Sequence, residues 1–202
     1  MKEKAYYEKV NITNAVRLRE QLQVLPRFCR EYFVGIEPTT SSRTRLAYAY
    51  DLGIFFEYIH DNNPVYRKMD ITEYPLTLLD EVTALDIEEY LSYLKYYEKN
   101  GVEHTNDERG VARKLASLRS LYNYFFRKEL ITKNPPSLVS TPKIHDKNIT
   151  RLDVDEVALL LDQVESGEKL TERQKMYHEQ TKKRDLAIMT LLLGTGIRVS
   201  EC

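Results

Sequence analysis

Residues 106–130, NDERGVARKLASLRSLYNYFFRKEL, decide the fold class. Val111, Leu115, Leu118, Tyr122 and Phe125 recur at spacings of three and four, the mark of a helix with one apolar face. Such a face must be covered, and three earlier segments offer matching ones. Residues 11–33 carry Val16, Leu18, Leu22, Leu25, Phe28 and Tyr32 near helical spacing, with Pro26 placed to kink the helix and Gly35 and Pro38 to end it. EPTTSSRTRLAYAYDLGIFFEYIHDNNP, residues 37–64, opens on a Thr/Ser cluster suited to an N-cap and puts Leu46, Ala49, Gly53, Phe56 and Ile59 on one stripe. It stops at Asn62-Asn63-Pro64. ALDIEEYLSYLKYYEKNG, residues 84–101, reads as a helix capped by Thr83 and closed by Asn100-Gly101. With no convincing strand pattern, the expectation is an all-α fold built on a four-helix bundle.

The character changes at ITKNPPSLVSTPKIHDKNIT, where three prolines fall within eight residues beside Ser, Thr and Asn. The expected organisation is therefore a helical domain over 1–133, with residues to about 38 as an N-terminal helix extension, a linker over 134–150, and the start of a second domain over 151–202. In that last part Asp153 or Asp155 caps VDEVALLLDQVE, and a highly charged segment leads into an apolar helix around Leu186 to Leu193. Gly194 is placed to end that helix, Gly196 permits a tight path, and Arg198 then projects from a rigid base. From spacing alone Arg198 suits a salt bridge with Glu201 as well as a functional role. An apolar helix without partners is expected to leave the segment after Leu152 poorly folded in isolation.

Composition excludes several classes. With 42% hydrophobic and 30% charged residues, the chain can fill a core and stay in solution. No apolar run approaches the length of a membrane span, and MKEKAYYEKV lacks the apolar centre of a secretory signal, so a cytoplasmic protein is expected. Cys29 and Cys202 make no disulfide framework, and His60, His104, His145 and His178 show no metal-ligand spacing, so no metal site is expected.

A formal net charge of −1 hides strong segregation. From Arg109 to Lys128 there are six basic residues (Arg109, Arg113, Lys114, Arg119, Arg127, Lys128) and no acidic one. From Glu73 to Glu103 eight acidic residues face two lysines. On the helical wheel Arg109, Arg113, Ser120, Tyr124 and Arg127 lie opposite the apolar stripe, with Lys114 and Arg119 at its flanks. Guanidinium groups so placed can make paired hydrogen bonds to phosphate, with small or hydroxyl residues allowing close approach. The same charges also suit a solvated face. Ser41, Ser42, Arg43, Thr44 and Arg45 add a second cationic helix start, which equally fits ordinary capping. The fifteen tyrosines identify no nucleophile and are expected mostly in the core.

RDLAIMTLLLGTGIRVSE resembles the motif around the first catalytic arginine of the tyrosine recombinases, the integrase family that includes phage, transposon and chromosome-dimer-resolving enzymes. RKLASLRSLYNYFFRKELITKNPPSLVSTPK resembles the last helix and exit linker of the family's core-binding domain, and RTRLAYAYDLGIFFEYI its second helix. Order and spacing also match, from about residue 40 to 202. The charged segment from Gly167 to Lys183 is similar to those of mobile-element integrases.

The resemblance implies a SAM-like core-binding bundle, a linker and the first helices of a truncated, mainly-α catalytic domain that together clamp duplex DNA. By position it implies DNA contacts from Ser42, Arg43, Thr44, Arg113, Lys114 and Ser117, to which the wheel adds Arg109, Ser120 and Arg127. It gives Arg198 the role of holding nonbridging phosphate oxygens, and it needs no cofactor, metal or nucleotide. In the family a tyrosine hydroxyl attacks a phosphodiester, giving a 3′-phosphotyrosyl link and a free 5′ hydroxyl, and the enzymes assemble as tetramers on two DNA sites. The family pattern then continues with a lysine on a hairpin, a His-x-x-Arg box and the tyrosine, none of which follows Arg198 here. The chain is thus expected to be a fragment or a prematurely ended product, inactive alone. Two other readings stand beside this one: a non-catalytic module occupying recombination sites, and a helical protein-interaction domain whose basic face meets an acidic partner.

Overall fold

Pro26 does more than kink the first helix. In a computed structural model of the chain, which describes residues 6–99, 101–145 and 151–199, the expected helix over 11–33 is two: α1 (Tyr6–Gln21) and α2 (Cys29–Gly35). A proline ring clashes with the preceding turn and has no N–H to donate, so the chain turns through Leu22 to Val24 and restarts after it. The restart swings Leu25, Cys29, Tyr32 and Phe33 into the core, while α1 buries no residue fully. Burial without any opposing partner pushes the Cys29 thiol far above its ordinary pKa.

Helix α3 (Ser42–Asn62) starts where the Thr/Ser cluster predicts. Ser41 is its cap, its hydroxyl accepting from the Thr44 N–H at 3.1 Å. Leu46, Ala49, Leu52, Phe55, Phe56 and Ile59 are its buried apolar residues. After two single helical turns and the short α4 (Leu78–Glu81) comes α5 (Ala84–Tyr93). Thr83 and Asp86 close a capping box at its start: Thr83 N–H donates to Asp86 Oδ2 at 2.7 Å, and Asp86 N–H to Thr83 Oγ1 at 3.2 Å.

The helix expected to run on to Gly101 ends at Tyr93, and the all-helical reading misses a hairpin. Strands β1 (Tyr96–Lys99) and β2 (Val102–Thr105) pair antiparallel, Tyr97 opposite His104 and Lys99 opposite Val102. Asn-Gly between two short strands is a strong two-residue hairpin signal, since such a turn requires positive φ, and Gly101 has φ 74°. Tyr93, Tyr97 and His104 stack in series at 5.1 Å between rings, and Lys99 Nζ reaches both Glu57 carboxylate oxygens at 2.7 Å. The hairpin is thereby fixed to α5 and α3.

Helix α6 (Glu108–Arg127), capped by Asp107, buries all five residues of the predicted stripe together with Leu121. It packs on α3 and α2, and Phe28 stands edge-on to Phe56 (5.9 Å) and Phe125 (5.7 Å) between them. Each fully buried Leu or Phe here contributes about 1.5–3 kcal/mol relative to exposure. The fold is mainly α, with α1, α3, α5 and α6 as the four expected helices.

By contacts the chain divides into two compact units, Met1–His145 and Asp146–Cys202. Much of the proline-rich stretch belongs to the first. Arg119 on α6 donates through Nε to Pro136 O (3.0 Å), through Nη2 to Val139 O (2.6 Å) and through Nη1 to Thr141 Oγ1 (2.7 Å), while Asp80 Oδ1 accepts from the Thr132 and Lys133 N–H groups. Arg119→Ala is expected to free this stretch. Hydrogen bonds from a charged donor are worth about 1.5–3 kcal/mol, so tryptic cleavage after Lys143 should accelerate about tenfold or more. Unchanged cleavage kinetics would show that the stretch is held by other means.

The second unit is a helical pair, α7 (Val154–Ser166) and α8 (Glu172–Thr195). Of the two candidate caps for α7 it is Asp153 that serves, in a box with Glu156. Gly167 ends α7 with φ 67°, and a Cβ there would stand 2.8 Å from the His178 ring, whose Nε2 meets Val164 O at 2.7 Å. At the other end, Gly194 lies inside α8, and it is Gly196, φ 66°, that closes it. Neither helix buries a residue, and Leu159, Ile188, Leu191 and Leu193 stay exposed. Among the described residues no helix is long and apolar enough to cross a membrane.

Candidate nucleic-acid interface

The outer side of α6 presents Arg109, Arg113, Ala116, Ser120, Asn123 and Arg127, in alternating steps of four and three. At 1.5 Å rise per residue the row is about 27 Å long, cationic at both ends and small in the middle. Arg109, Arg113, Ala116, Asn123 and Arg127 are exposed, Ser120 half-buried. Neither Arg109 nor Arg127 makes a hydrogen bond or ion pair to any described residue. Thr39 and Thr40, just before α3, line a groove of about 700 Å³ with Ala116, Ser120, Asn123 and Arg127, which brings the start of α3 against the middle of α6. Arg43, in the first turn of α3, is exposed and likewise has no partner among the described residues.

Other residues singled out from sequence have structural partners. Lys114 is buried with Nζ 2.6 Å from Asn106 Oδ1, and Ser117 is buried and donates to Lys114 O at 2.8 Å. Ser120 accepts from the Tyr32 hydroxyl at 2.8 Å. Ser42 donates to Asn11 Oδ1 (2.7 Å) and accepts from Asn14 Nδ2 (3.1 Å), which ties α1 to α3, and the Thr44 hydroxyl meets that of Ser41 at 2.9 Å. Arg45 pairs with Glu37 at 2.6 Å, and Lys128 with Glu31 at 3.1 Å while lying 4.8 Å over the Tyr124 ring. The wheel ranks faces correctly for Arg109, Arg113 and Arg127. It cannot see that a neighbouring helix covers Lys114.

What sequence reasoning missed is Asp51. Its side chain is 1% exposed on the side of α3 packed toward α6, where it forms an ion pair with Arg113. Burial raises its pKa, opposed by the Arg113 charge and hydrogen bond and by the Lys114 charge. Burial lowers the Lys114 pKa, with Asp51 opposing. One carboxylate thus sits with two cations. The visible signal was a lone acid inside the apolar run AYDLGIFF, which periodicity alone does not interpret.

Arg198 is exposed, just past the Gly196 turn that ends α8. The alternative partner Glu201 lies outside the described residues. Tyr32, Tyr90 and Tyr122 are fully buried core residues. Among the described residues no cluster of three or more His, Cys, Asp or Glu is arranged to hold a metal ion.

No family model matches the chain, and no solved structure matches it. Curated relatives do. The chain is 34% identical over 178 residues to tyrosine recombinase XerC of Caldanaerobacter subterraneus subsp. tengcongensis, covering 84% of this chain and 44% of the relative. It is 31% identical over 186 residues to tyrosine recombinase XerC of Chlorobaculum tepidum, covering 87% and 50%. It is 29% identical over 211 residues to tyrosine recombinase XerS of Streptococcus equi subsp. zooepidemicus, covering 92% and 58%. The chain spans about half the length of the curated relatives it matches. Likeness of this extent makes the chain a member of the tyrosine recombinase family.

Proposed function

We propose that the chain is the DNA-binding portion of a site-specific recombinase, gripping duplex DNA with the outer row of α6 and the first turn of α3. The observation that carries this reading is the exposed guanidinium row, Arg109, Arg113 and Arg127 on one helix with small side chains along it, together with exposed Arg43 in the first turn of α3. Phosphate contacts of this kind fix position on the duplex without reading sequence. The chemistry proposed for the whole protein is a transesterification. A tyrosine oxygen bonds to phosphorus, the 5′ oxygen leaves with a proton, and the 3′-phosphotyrosyl link is resolved by attack of a new 5′ hydroxyl. Arg198 suits the part of a fixed cation on the nonbridging oxygens, because a guanidinium keeps its charge and holds two oxygens at once. The wider proposal is a tetramer on two DNA sites, acting in the cytoplasm on chromosomal or mobile-element DNA without a cofactor.

The test is a titration of the full chain with a labelled duplex. Four phosphate contacts predict a loss of affinity of roughly a hundredfold between about 50 mM and about 200 mM salt. Salt-independent or absent duplex binding would overturn the reading and favour a helical protein-interaction domain.

A further inference from the structure

Asp51 raises a question that packing alone does not answer, because a buried carboxylate is costly and an apolar residue would fill the same space. Its partner is unusual too. Arg113 has a side chain 48% exposed, with Nη1 engaged by Asp51 and its remaining donors without an acceptor among the described residues. Lys114, braced by Asn106, sets a second cation beside the carboxylate, so the cluster keeps a net positive charge under the outer row of α6. One turn on, exposed Ala116 leaves clearance for an approaching backbone. A free arginine spreads over many rotamers and must lose them on binding, whereas one whose fork is already held on one side loses less.

Resting on the DNA-binding reading above, we propose that Asp51 is a positioning residue: by engaging one side of the Arg113 fork it presets the other side for a phosphate of the DNA backbone. Lysine has no fork: its donors all sit on one nitrogen, so a lysine drawn to Asp51 has no second nitrogen to aim outward at the phosphate, which makes the idea separable from simple charge.

The experiment is a double-mutant cycle on duplex affinity with D51N and R113K, in the full chain. With Asp51 present, R113K should weaken binding about eightfold, the worth of one phosphate contact at about 0.1 M salt. In the D51N background the same change should cost less than twofold, since either side chain is then free to reach the phosphate. The loss of a negative charge in D51N is common to both arms and cancels. Equal cost in both backgrounds overturns the proposal. A second readout needs neither DNA nor a folded D51N: by NMR, the Nη–H protons of Arg113, one of whose Nη groups Asp51 holds, should exchange more slowly than those of Arg109, which has no partner among the described residues. Equal exchange also overturns it. Absence of salt-dependent duplex binding by the unaltered chain would instead overturn the DNA reading, leaving the side-chain exchange to judge the positioning.

Discussion

A chain in which Arg43, Arg109 and Arg127 are all replaced by alanine is expected to hold duplex DNA about 500-fold more weakly at about 0.1 M salt, since each phosphate contact is worth about eightfold there. The slope of log affinity against log salt should flatten by about 2.7. Stability should hardly change, because none of the three has a hydrogen-bond or ion-pair partner among the described residues, and substitutions of that kind stay within about 0.5 kcal/mol. That contrast gives the experiment its force. Lys128 and Arg45 carry the same charge but are paired with Glu31 and Glu37, so alanine there should cost much less affinity. Anisotropy titration with a parallel thermal melt checks both statements, and a loss below about tenfold for the triple variant would remove the row from the interface.

Arg113→Ala has the second large effect, on stability. Removing the partner of a buried charge costs about 3–5 kcal/mol where the whole pair is buried, and here, with Asp51 buried but Arg113 half exposed and Lys114 nearby, the cost falls at the lower end. For a unit of this size a loss of about 3 kcal/mol lowers the melting temperature by about 10 °C. The pH dependence has a definite sign. Burial already raises the Asp51 pKa against the pull of Arg113, and without Arg113 it rises further. The native state then binds a proton that the unfolded chain releases, so stability falls as pH climbs through and above the ordinary carboxylate range near about 3.9. The deficit of the variant should therefore be largest at neutral pH and shrink on acidification toward pH about 4. Replacing both partners, as in D51L/R113M, should recover much of the loss, because two apolar side chains leave no unpaired carboxylate behind and Lys114 keeps its hydrogen bond to Asn106. A deficit independent of pH would mean that Asp51 is not the group left exposed to the change.

Much of this was legible in the residues. The stripe Val111, Leu115, Leu118, Tyr122 and Phe125 is buried as its spacing requires, and the caps Thr83, Asp153 and the Ser41 cluster act where local hydrogen bonding places them. These are short-range features, settled within one or two turns. The hairpin was lost because ALDIEEYLSYLKYYEKNG keeps helical spacing through Leu94, so the Asn-Gly signal read as a helix stop. The break at Pro26 and the true end of α8 at Gly196 are errors of degree at the same punctuation marks. The site was harder. A wheel orders residues around one axis, but whether Lys114 faces water depends on Asn106 and on α3, which no spacing within α6 encodes. Asp51 and Arg113 stand 62 positions apart, and only the crossing of two helices makes them a pair.

Arg119 changes how the joint after the bundle must be counted. Composition marks a tether from 134 to 150, yet its stretch to Thr141 is fastened to α6, so what can act as tether begins at Pro142. For anything carried at the far end of a flexible joint, local concentration varies roughly as the −3/2 power of the joint's length, so halving the joint raises it about threefold. A single guanidinium thereby acts as a length adjuster: by fastening Pro136 to Thr141 it takes that stretch out of any joint that follows.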